Sequence, residues 1–413
     1  MICEMCPEGV KRVPLWSLTA WDKHFKGVDK SKQKKVYSYP YLLANDMQAL
    51  ESEGGDVMLL STGNYVGYTT EELAGNNLCE GEVVTMPWGG TAKGIKYYKG
   101  KFVTADNRIA TSLDTSVLNN KFFYYWFINN SEEINSYYRG AGIKHPSMAD
   151  VLDMQIPLPP LPIQEKIVEI LEKFSLLSAE LEAELEGRRK QYEYYRTRLL
   201  SFDAVADSGS VVWKTLGDCI RSLKTGLNPR QFFKLNTDDA TNYYVTIREI
   251  QNHTIVFNAG TDRLNDEALR LCNNRSNLER GDVLFSGTGT IGEVATIEET
   301  PNNWNIKEGV YAIKPVPEII NYRFLMYLLQ SNDIRQTYLK KAAGGTVKSV
   351  PMGEMRKLII PVPPLAEQER IVRILDKFEA LVTDLSNGLP AEIEHVQKQY
   401  EYYRNKLLTF PEA

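Results

Sequence analysis

Ile156-Pro-Leu-Pro-Pro-Leu-Pro-Ile-Gln-Glu-Lys-Ile-Val-Glu-Ile-Leu-Glu-Lys-Phe174 returns 204 positions later as Ile360-Pro-Val-Pro-Pro-Leu-Ala-Glu-Gln-Glu-Arg-Ile-Val-Arg-Ile-Leu-Asp-Lys-Phe378. A second block, Gln191-Tyr-Glu-Tyr-Tyr-Arg-Thr-Arg-Leu-Leu-Ser-Phe202, returns as Gln399-Tyr-Glu-Tyr-Tyr-Arg-Asn-Lys-Leu-Leu-Thr-Phe410. Each pair brackets a helical segment, and each helical segment follows a longer, more divergent stretch. The order is therefore variable domain, helix, variable domain, helix. A duplicated frame carrying two different payloads suggests a reader of two different half-sites. The period is too long for a solenoid repeat, and two copies need not stack.

The duplication continues more faintly inside the payloads. Gly81-Glu-Val-Val84 resembles Gly281-Asp-Val-Leu284, and Lys144 and Met148 stand as far before the first Ile-Pro block as Lys348 and Met352 before the second. The two domains share a fold and differ in most surface residues.

At 413 residues the chain can bury two or three separate cores. No apolar run approaches the roughly 20 residues needed to cross a bilayer, and the N-terminus lacks a signal-peptide pattern, so a cytoplasmic location is expected. Cys3, Cys6, Cys79, Cys219 and Cys272 are an odd, scattered set, better suited to reduced thiols than to disulfides. Cys3-Glu-Met-Cys6 has metal-ligand spacing but no second pair to complete four ligands, and no metal site is expected. The net charge of −5 argues against a uniformly basic coat, not against local patches. Acidic residues gather in the helical segment Glu180-Leu-Glu-Ala-Glu-Leu-Glu186, while basic and aromatic residues mix within the payloads.

From Ile163, apolar or aromatic residues fall at Ile167, Ile170, Phe174, Leu177, Leu181, Leu185, Tyr192, Tyr195, Leu199 and Phe202, the three-four spacing of a coiled-coil seam. The second copy repeats it through Ile371, Ile374, Phe378, Leu381, Leu385, Ile393, Val396, Tyr400, Tyr403, Leu407 and Phe410. Pro157, Pro159, Pro160 and Pro162 suit an extended lead-in and first turn, so they fix where the first helix begins. Phe378 to Gln399 spans 21 positions where Phe174 to Gln191 spans 17, and the added segment holds Asn387-Gly388-Leu389-Pro390. That sequence should break or kink the second helix. The expected fold is α+β: two mixed α/β domains separated by two long antiparallel coiled-coil helices, with an internal pseudo-twofold repeat. The boundaries expected are 1–155, 156–205, 206–359 and 360–413.

The Pro-Pro-Leu blocks followed by Gln and Ile-Val, and the Gln-Tyr-Glu-Tyr-Tyr-Arg blocks, resemble the conserved regions of the specificity subunits of type I restriction-modification systems, over essentially the whole chain. The resemblance implies a non-catalytic, double-stranded-DNA-binding subunit. Each target recognition domain would read one part of a bipartite sequence, the helices would set the gap, and two modification subunits would dock. S-adenosylmethionine would bind the modification subunits, which methylate adenine at N6, and ATP and Mg would serve the restriction subunits; no cofactor is expected on this chain. The first helix departs slightly from the second, with Arg188-Arg-Lys190 before Gln191 and no Gly-Leu-Pro element.

Phe285-Ser-Gly-Thr-Gly-Thr-Ile-Gly292 contains the Gly-x-Gly-x-x-Gly of a dinucleotide site and a Phe-x-Gly-x-Gly reminiscent of adenosylmethionine loops. Either reading needs a helix directly after the glycines. Glu293-Val-Ala-Thr-Ile-Glu298 favours a strand instead, as does Ile95-Lys-Tyr-Tyr98 after Trp88-Gly-Gly-Thr-Ala-Lys-Gly94, so both segments read as hairpin tips. His24, His145, His253 and His395 are isolated from any nucleophile or paired ligand in sequence. A self-sufficient enzyme using Gly287 to Gly292 for a cofactor, and a coiled-coil interaction scaffold, are the competing readings.

Each payload also carries one amphipathic helix, around Lys121 to Tyr138 and Tyr322 to Leu339, whose stripe of Tyr124, Phe127, Ile128 and Ile134 reads as core. Loops must then carry the DNA contacts. Phosphates need Lys, Arg and backbone amides at glycine-rich tips, and base edges need planar or bidentate donors. Three loops per domain meet that chemistry. In the first domain they hold Lys23, Lys32 and Lys35; Trp88, Gly89, Thr91 and Lys93 with Asn107 and Arg108; and Lys144 with His145. In the second they hold Arg221, Lys224, Asn228 and Arg230; Thr288, Gly289 and Thr290; and Lys348.

Overall fold

The computed structural model describes residues 9–202, 211–383 and 388–410, arranged as two compact units. The Cys3–Cys6 pair, and Leu385 and Asn387 of the second helical segment, lie outside the described residues. The first unit comprises residues up to Glu180 together with Ile393 onward; the second runs from Leu181 to Glu392. Each unit is therefore closed by a helical block that follows the other domain in sequence.

In the first unit, β1 (Arg12–Pro14) pairs antiparallel with β10 (Gln155–Pro157), tying the start of the domain to its end. The main sheet has the order β2 (Thr19–Trp21), β7 (Asn107–Ser112), β5 (Cys79–Pro87), β6 (Lys96–Thr104), β3 (Val57–Leu60), β4 (Tyr68–Thr69). Short helices α1 (Ala44–Gln48) and α2 (Glu71–Ala74) lie on the connections. After the sheet come α3 (Asn120–Asn129), α4 (Ser131–Ser136), the ribbon β8 (Tyr138–Arg139) with β9 (His145–Pro146), and α5 (Met148–Asp153).

The second unit repeats this frame. Strand β11 (Val212–Thr215) pairs with β21 (Ile359–Val362), and β12 (Ile220–Thr225), β20 (Val310–Pro315), β17 (Val283–Ser286) and β18 (Val294–Thr296) form the counterpart of β2-β7-β5-β6. The long β6 has no single equivalent. Its place is taken by β18 and β19 (Trp304–Ile306) with Pro301 between them, a residue that cannot donate to a sheet ladder. Strand β13 (Asn242–Val245) pairs parallel with β19 and antiparallel with β16 (Arg263–Leu264). The hairpin β14 (Ile250–Gln251) with β15 (Thr254–Ile255) and the helices α7 (Pro229–Phe232) and α8 (Asp266–Ser276) are added around this sheet. Helices α9 (Tyr322–Gln330), α10 (Asn332–Leu339) and α11 (Met352–Arg356) correspond to α3, α4 and α5. The single amphipathic helix expected in each domain is thus two, parted at Asn130 and at Ser331. Its stripe is core as expected: Phe127 and Ile134 are buried, with Tyr124 and Ile128 packed against them.

The repeated blocks have identifiable work. Gln164, at the start of α6 (Leu161–Leu200), is fully buried; its Oε1 accepts from Asn119 N at 2.9 Å while Nε2 donates to Pro159 O and Val117 O, both 2.8 Å. Gln368, in α12 (Leu365–Thr383), does the same with Asn321 N (2.8 Å), Pro363 O (2.8 Å) and Ile319 O (3.0 Å). One amide thus joins the proline lead-in to the residue that caps a helix of the preceding domain, Asn119 for α3 and Asn321 for α9. Replacing Gln368 by Leu would leave a buried N–H and two carbonyls without partners, so we expect the second unit to lose about 2–4 kcal/mol of stability. Denaturant midpoints compared with wild type measure it, and a change below about 0.5 kcal/mol would show that the amide is not needed.

The second block closes each unit. Phe174 stacks on Tyr403 (5.5 Å, 24°) and Phe122 meets Phe410 edge-on in the first unit; Phe378 stacks on Tyr195 (5.4 Å, 25°) and Phe324 meets Phe202 edge-on in the second. The helical seam departs from its expected face in places. Val168 and Leu171 are buried, whereas Leu177 is exposed, because the early turns of α6 pack against the domain core as well as a helix. Residues 384–387 lie outside the described residues; after them Gly388 is a bend rather than helix, and α13 (Leu389–Leu408) begins with Pro390 in its first turn, following α12 (Leu365–Thr383). Cys79, Cys219 and Cys272 are free and buried, and burial pushes the Cys272 thiol up to about 12. Among the described residues, no helix is long and apolar enough to cross a membrane.

Candidate nucleic-acid interface

In the second unit the glycine-rich segment is the tip of the β17–β18 hairpin, not the approach to a helix. Its glycines are there for space and for backbone angle. A Cβ on Gly287 would lie 2.2 Å from the Tyr311 ring, and Gly289 has φ of +81°, a conformation that side chains disfavour. Ser286 Oγ donates to Thr290 O (2.7 Å) and accepts from Glu293 N (2.8 Å), which fastens the tip to its own strand.

The loop before α11 joins it. Gly289 N donates to Lys348 O (3.0 Å), Val350 N to Gly287 O (2.9 Å), and Thr288 Oγ1 lies 3.0 Å from Ser349 Oγ. The turn after β12 completes the group: Thr225 Oγ1 accepts from Gly309 N (3.0 Å), and a Cβ on Gly226 would strike Ile306 O. Thr225, Arg248, Thr288, Gly289, Lys307 and Ser349 line one open cleft of about 920 Å³. Arg248, which pairs with Asp262 at 2.9 Å, and Lys307, in the turn that ends at Gly309, fall outside the loops expected from the sequence. Thr288, Gly289, Thr290, Lys348 and Arg230 are exposed. Asn228 is committed to capping α7 through Arg230 N (3.0 Å). Arg221 lies at the opposite end of β12 from Thr225 and pairs with Glu279 at 2.6 Å, with the exposed Lys224 between them.

The first unit builds the same tip from different side chains. Gly90 N donates to Lys144 O (2.9 Å), as Gly289 does to Lys348. Where the second unit has hydroxyls, the first has Trp88 and His145, with ring centroids 4.8 Å apart and His145 Nδ1 donating to Trp88 O at 2.8 Å. The Arg108 guanidinium lies 4.7 Å from the Trp88 ring centroid and Lys23 Nζ 5.9 Å from it, so residues from all three expected loops meet at one indole.

Two of the expected contact residues are internal. Arg108 is 1% exposed and forks between Asp22 (2.9 Å) and Asp106, and Asn107 is buried with Nδ2 donating to Leu60 O at 2.9 Å. Both belong to strand β7, which is buried along nearly its whole length, and both shape the site from behind. Burial pushes the Asp22 carboxyl above its ordinary value against the pull of Arg108, and burial together with the charge of Asp22 raises Asp106. Lys32 is drawn to Asp153 (2.6 Å), and Lys35 sits 4.8 Å over Tyr37. Thr91 and Lys93 are exposed beside Gly90, and Gly89 is half-buried.

A buried cluster that sequence spacing does not reveal joins His253, at the β14–β15 turn, to Glu379 of α12. Tyr327 OH lies 2.6 Å from a Glu379 carboxylate oxygen and 2.7 Å from one of Asp376, with its single proton to offer between them, and Arg323 pairs with Asp376 (2.8 Å). Burial alone would raise Glu379, but His253, Tyr327 and Arg323 outweigh it and hold the carboxyl below its ordinary range. It fastens a payload hairpin to the helical frame. Among the described residues, no group of three or more His, Cys, Asp or Glu is placed to hold a metal ion.

Residues 23–187 and 211–395 each match the family described as the type I restriction modification DNA specificity domain. The chain is 29% identical to the type I restriction enzyme EcoR124I/EcoR124II specificity subunit of Escherichia coli, over 97% of this chain and 95% of that protein. It is 31% identical to a putative type I restriction enzyme specificity subunit of Haemophilus influenzae, over 80% of this chain and 83% of that protein. Among solved structures, the S subunit of a type I restriction-modification system from M. genitalium superposes with a TM-score of 0.60 at 16% identity, over 96% of both chains. The HsdS subunit of Thermoanaerobacter tengcongensis gives 0.50 at 14% identity, over 97% of both.

Proposed function

We propose, for a chain that belongs to the family of type I restriction-modification DNA specificity subunits, that each recognition domain reads one half of a bipartite double-stranded DNA target. The observation that carries this reading is the twice-built tip. One backbone arrangement, Gly90 to Lys144 and Gly289 to Lys348, presents Trp88 and His145 in one unit and Thr288 and Ser349 in the other. A common frame with different donors and apolar surfaces is what two different base sequences require. The exposed lysines at the tips, Lys144 and Lys348, suit phosphate oxygens.

The helical frame serves partners. Tyr194 and Tyr402 occupy equivalent places in the two blocks and are 58% and 59% exposed; a large exposed aromatic repeated in this way fits two copies of one protein partner. Those partners are two modification subunits, which supply adenosylmethionine and methylate adenine, and restriction subunits supply ATP- and Mg-dependent cleavage. The complex works in the cytoplasm.

The test is co-expression with a methyltransferase subunit, followed by DNA binding at a stated salt concentration. The wild-type complex should assemble and methylate a bipartite target. Changing Thr288 and Thr290 to Glu places two negative charges on an exposed tip, so binding should weaken by about ten-fold or more while assembly persists. Unchanged affinity would remove the hairpin from the interface.

A further inference from the structure

We propose that Ile143 and Val347 are apolar wedges, one in each recognition domain, that enter the DNA and unstack a base step beside each half-site. This rests on the DNA-reading function above and goes beyond it, because a wedge acts on the shape of the duplex and not on its sequence.

Ile143 is 72% exposed and Val347 59% exposed, and they occupy the same position in the two copies. Each stands immediately before a solvent-exposed lysine, Lys144 or Lys348, at the end of a loop that both units close in the same way. Arg139 bridges His145 at the base of one loop, and Ala343 bridges Ser349 at the base of the other. Gly140 (φ +141°) and Gly344 (φ +126°) make the turn, and in each case a Cβ would press on the carbonyl of the aliphatic residue, at 3.1 Å from Ile143 O and 2.4 Å from Val347 O. The carbonyl of the following lysine accepts from Gly90 N or Gly289 N, so the loop is anchored on both sides. In the first unit Gly89 leaves the Ile143 side chain free to sit where it does, since a Cβ there would lie 2.9 Å from Ile143 Cγ2.

A loop pinned at its base that holds a branched aliphatic side chain in water, next to a phosphate-seeking cation, has the chemistry of side chains that insert between base pairs. The alternative for such a group is contact with a thymine methyl. The repeat decides between them. The surrounding side chains differ between the units, whereas the aliphatic-lysine pair is kept in both, and a methyl reader would demand thymine at the same place in both halves. A wedge is indifferent to base identity. It also has a use here: an adenine must leave the stack before a partner can methylate it, and unstacking the neighbouring step lowers that cost.

The experiment uses the complex with its modification subunits and target duplexes carrying 2-aminopurine next to the methylated adenine of one half-site or the other. Wild-type complex should raise the fluorescence at both. The Ile143→Ala change should reduce the rise and the methylation rate by about ten-fold at the first half-site only, and Val347→Ala at the second only, as expected for loss of an unstacking contact. Both side chains are exposed, so folding is not at stake. Wild-type fluorescence and rates in both variants would overturn the wedge while leaving the DNA-reading function intact. So would replacement of half-site thymines by deoxyuridine, if it erased the difference between wild type and Ile143→Ala, since the side chain would then be reading a methyl group. Failure of the wild-type complex to methylate any bipartite target would overturn the functional reading and the wedge with it.

Discussion

Exchanging the first recognition domain for that of a related specificity subunit should replace one half of the recognised sequence and leave the other half untouched. The junction matters. Strand β1 pairs with β10, so both must come from the donor, and a cut between Leu158 and Pro160 keeps them together while leaving Gln164 and the whole of α6 in place. The incoming domain must also accept Phe410, which packs against Phe122 from the far end of the chain; a donor with an aromatic residue at that position is the correct choice. Each mismatched base pair costs about 1–3 kcal/mol, so a half-site of three or more base pairs should shift in preference by on the order of a thousand-fold. Methylome mapping of the chimera reads the result directly. A simultaneous change in both halves would mean that the domains do not read independently, and the two-reader proposal would fall.

That junction can be chosen because the frame is legible in the sequence. The proline runs, the glutamine after them and the tyrosine block all lie at fixed offsets, and each has a local structural duty: strand end, buried amide clamp, helix face. The strand after Gly292 is legible from its β-branched residues for the same reason. What is not legible depends on contacts distant in sequence. That the Tyr400–Phe410 block closes the first unit and the Tyr192–Phe202 block the second follows from which ring meets which, and both blocks have nearly the same sequence. Arg108 reads as a surface cation beside a glycine loop, yet Asp22 and Asp106 draw it inside, and no spacing along the chain announces a partner 86 positions away. The glycine tips show in the sequence because a tight turn leaves a compositional mark. Arg248 carries no such mark, because it reaches the cleft from a short 3-10 turn, Ile247–Glu249, whose place beside the hairpin tip is set by contacts distant in sequence. The separation of the tips into aromatic and hydroxyl versions is present in the sequence as Trp88 and Thr288, but its meaning needs the shared hydrogen bonds to the lysine carbonyls.

Adding four residues to α6 between Glu180 and Glu186 should lengthen the preferred gap by about two base pairs without changing either half-site. Helix α6 is continuous over 40 residues, about 60 Å at 1.5 Å per residue, and it leaves the first unit at Glu180 and enters the second at Leu181. The insertion therefore falls where the chain passes from one unit to the other. Four residues add about 6 Å and turn the helix about 40° past a full revolution, whereas two base pairs add about 7 Å and rotate the duplex by about 70° at roughly 10 base pairs per turn. The two changes nearly match, leaving a twist of about 30° for protein and DNA to absorb. The return path can follow, because the second helical segment bends at Gly388 before Leu389 and is already four residues longer between its repeated blocks. Sites with the original gap would then present one half-site out of register with its reader, so their methylation should fall by orders of magnitude, the cost of losing one half of the contacts. Sequencing of modified adenines in cells carrying the insertion variant measures both preferences together. Normal assembly with methylation confined to the original gap would show that the spacing is set elsewhere, by the modification subunits or by the DNA, and that α6 connects the two readers without measuring the distance between them.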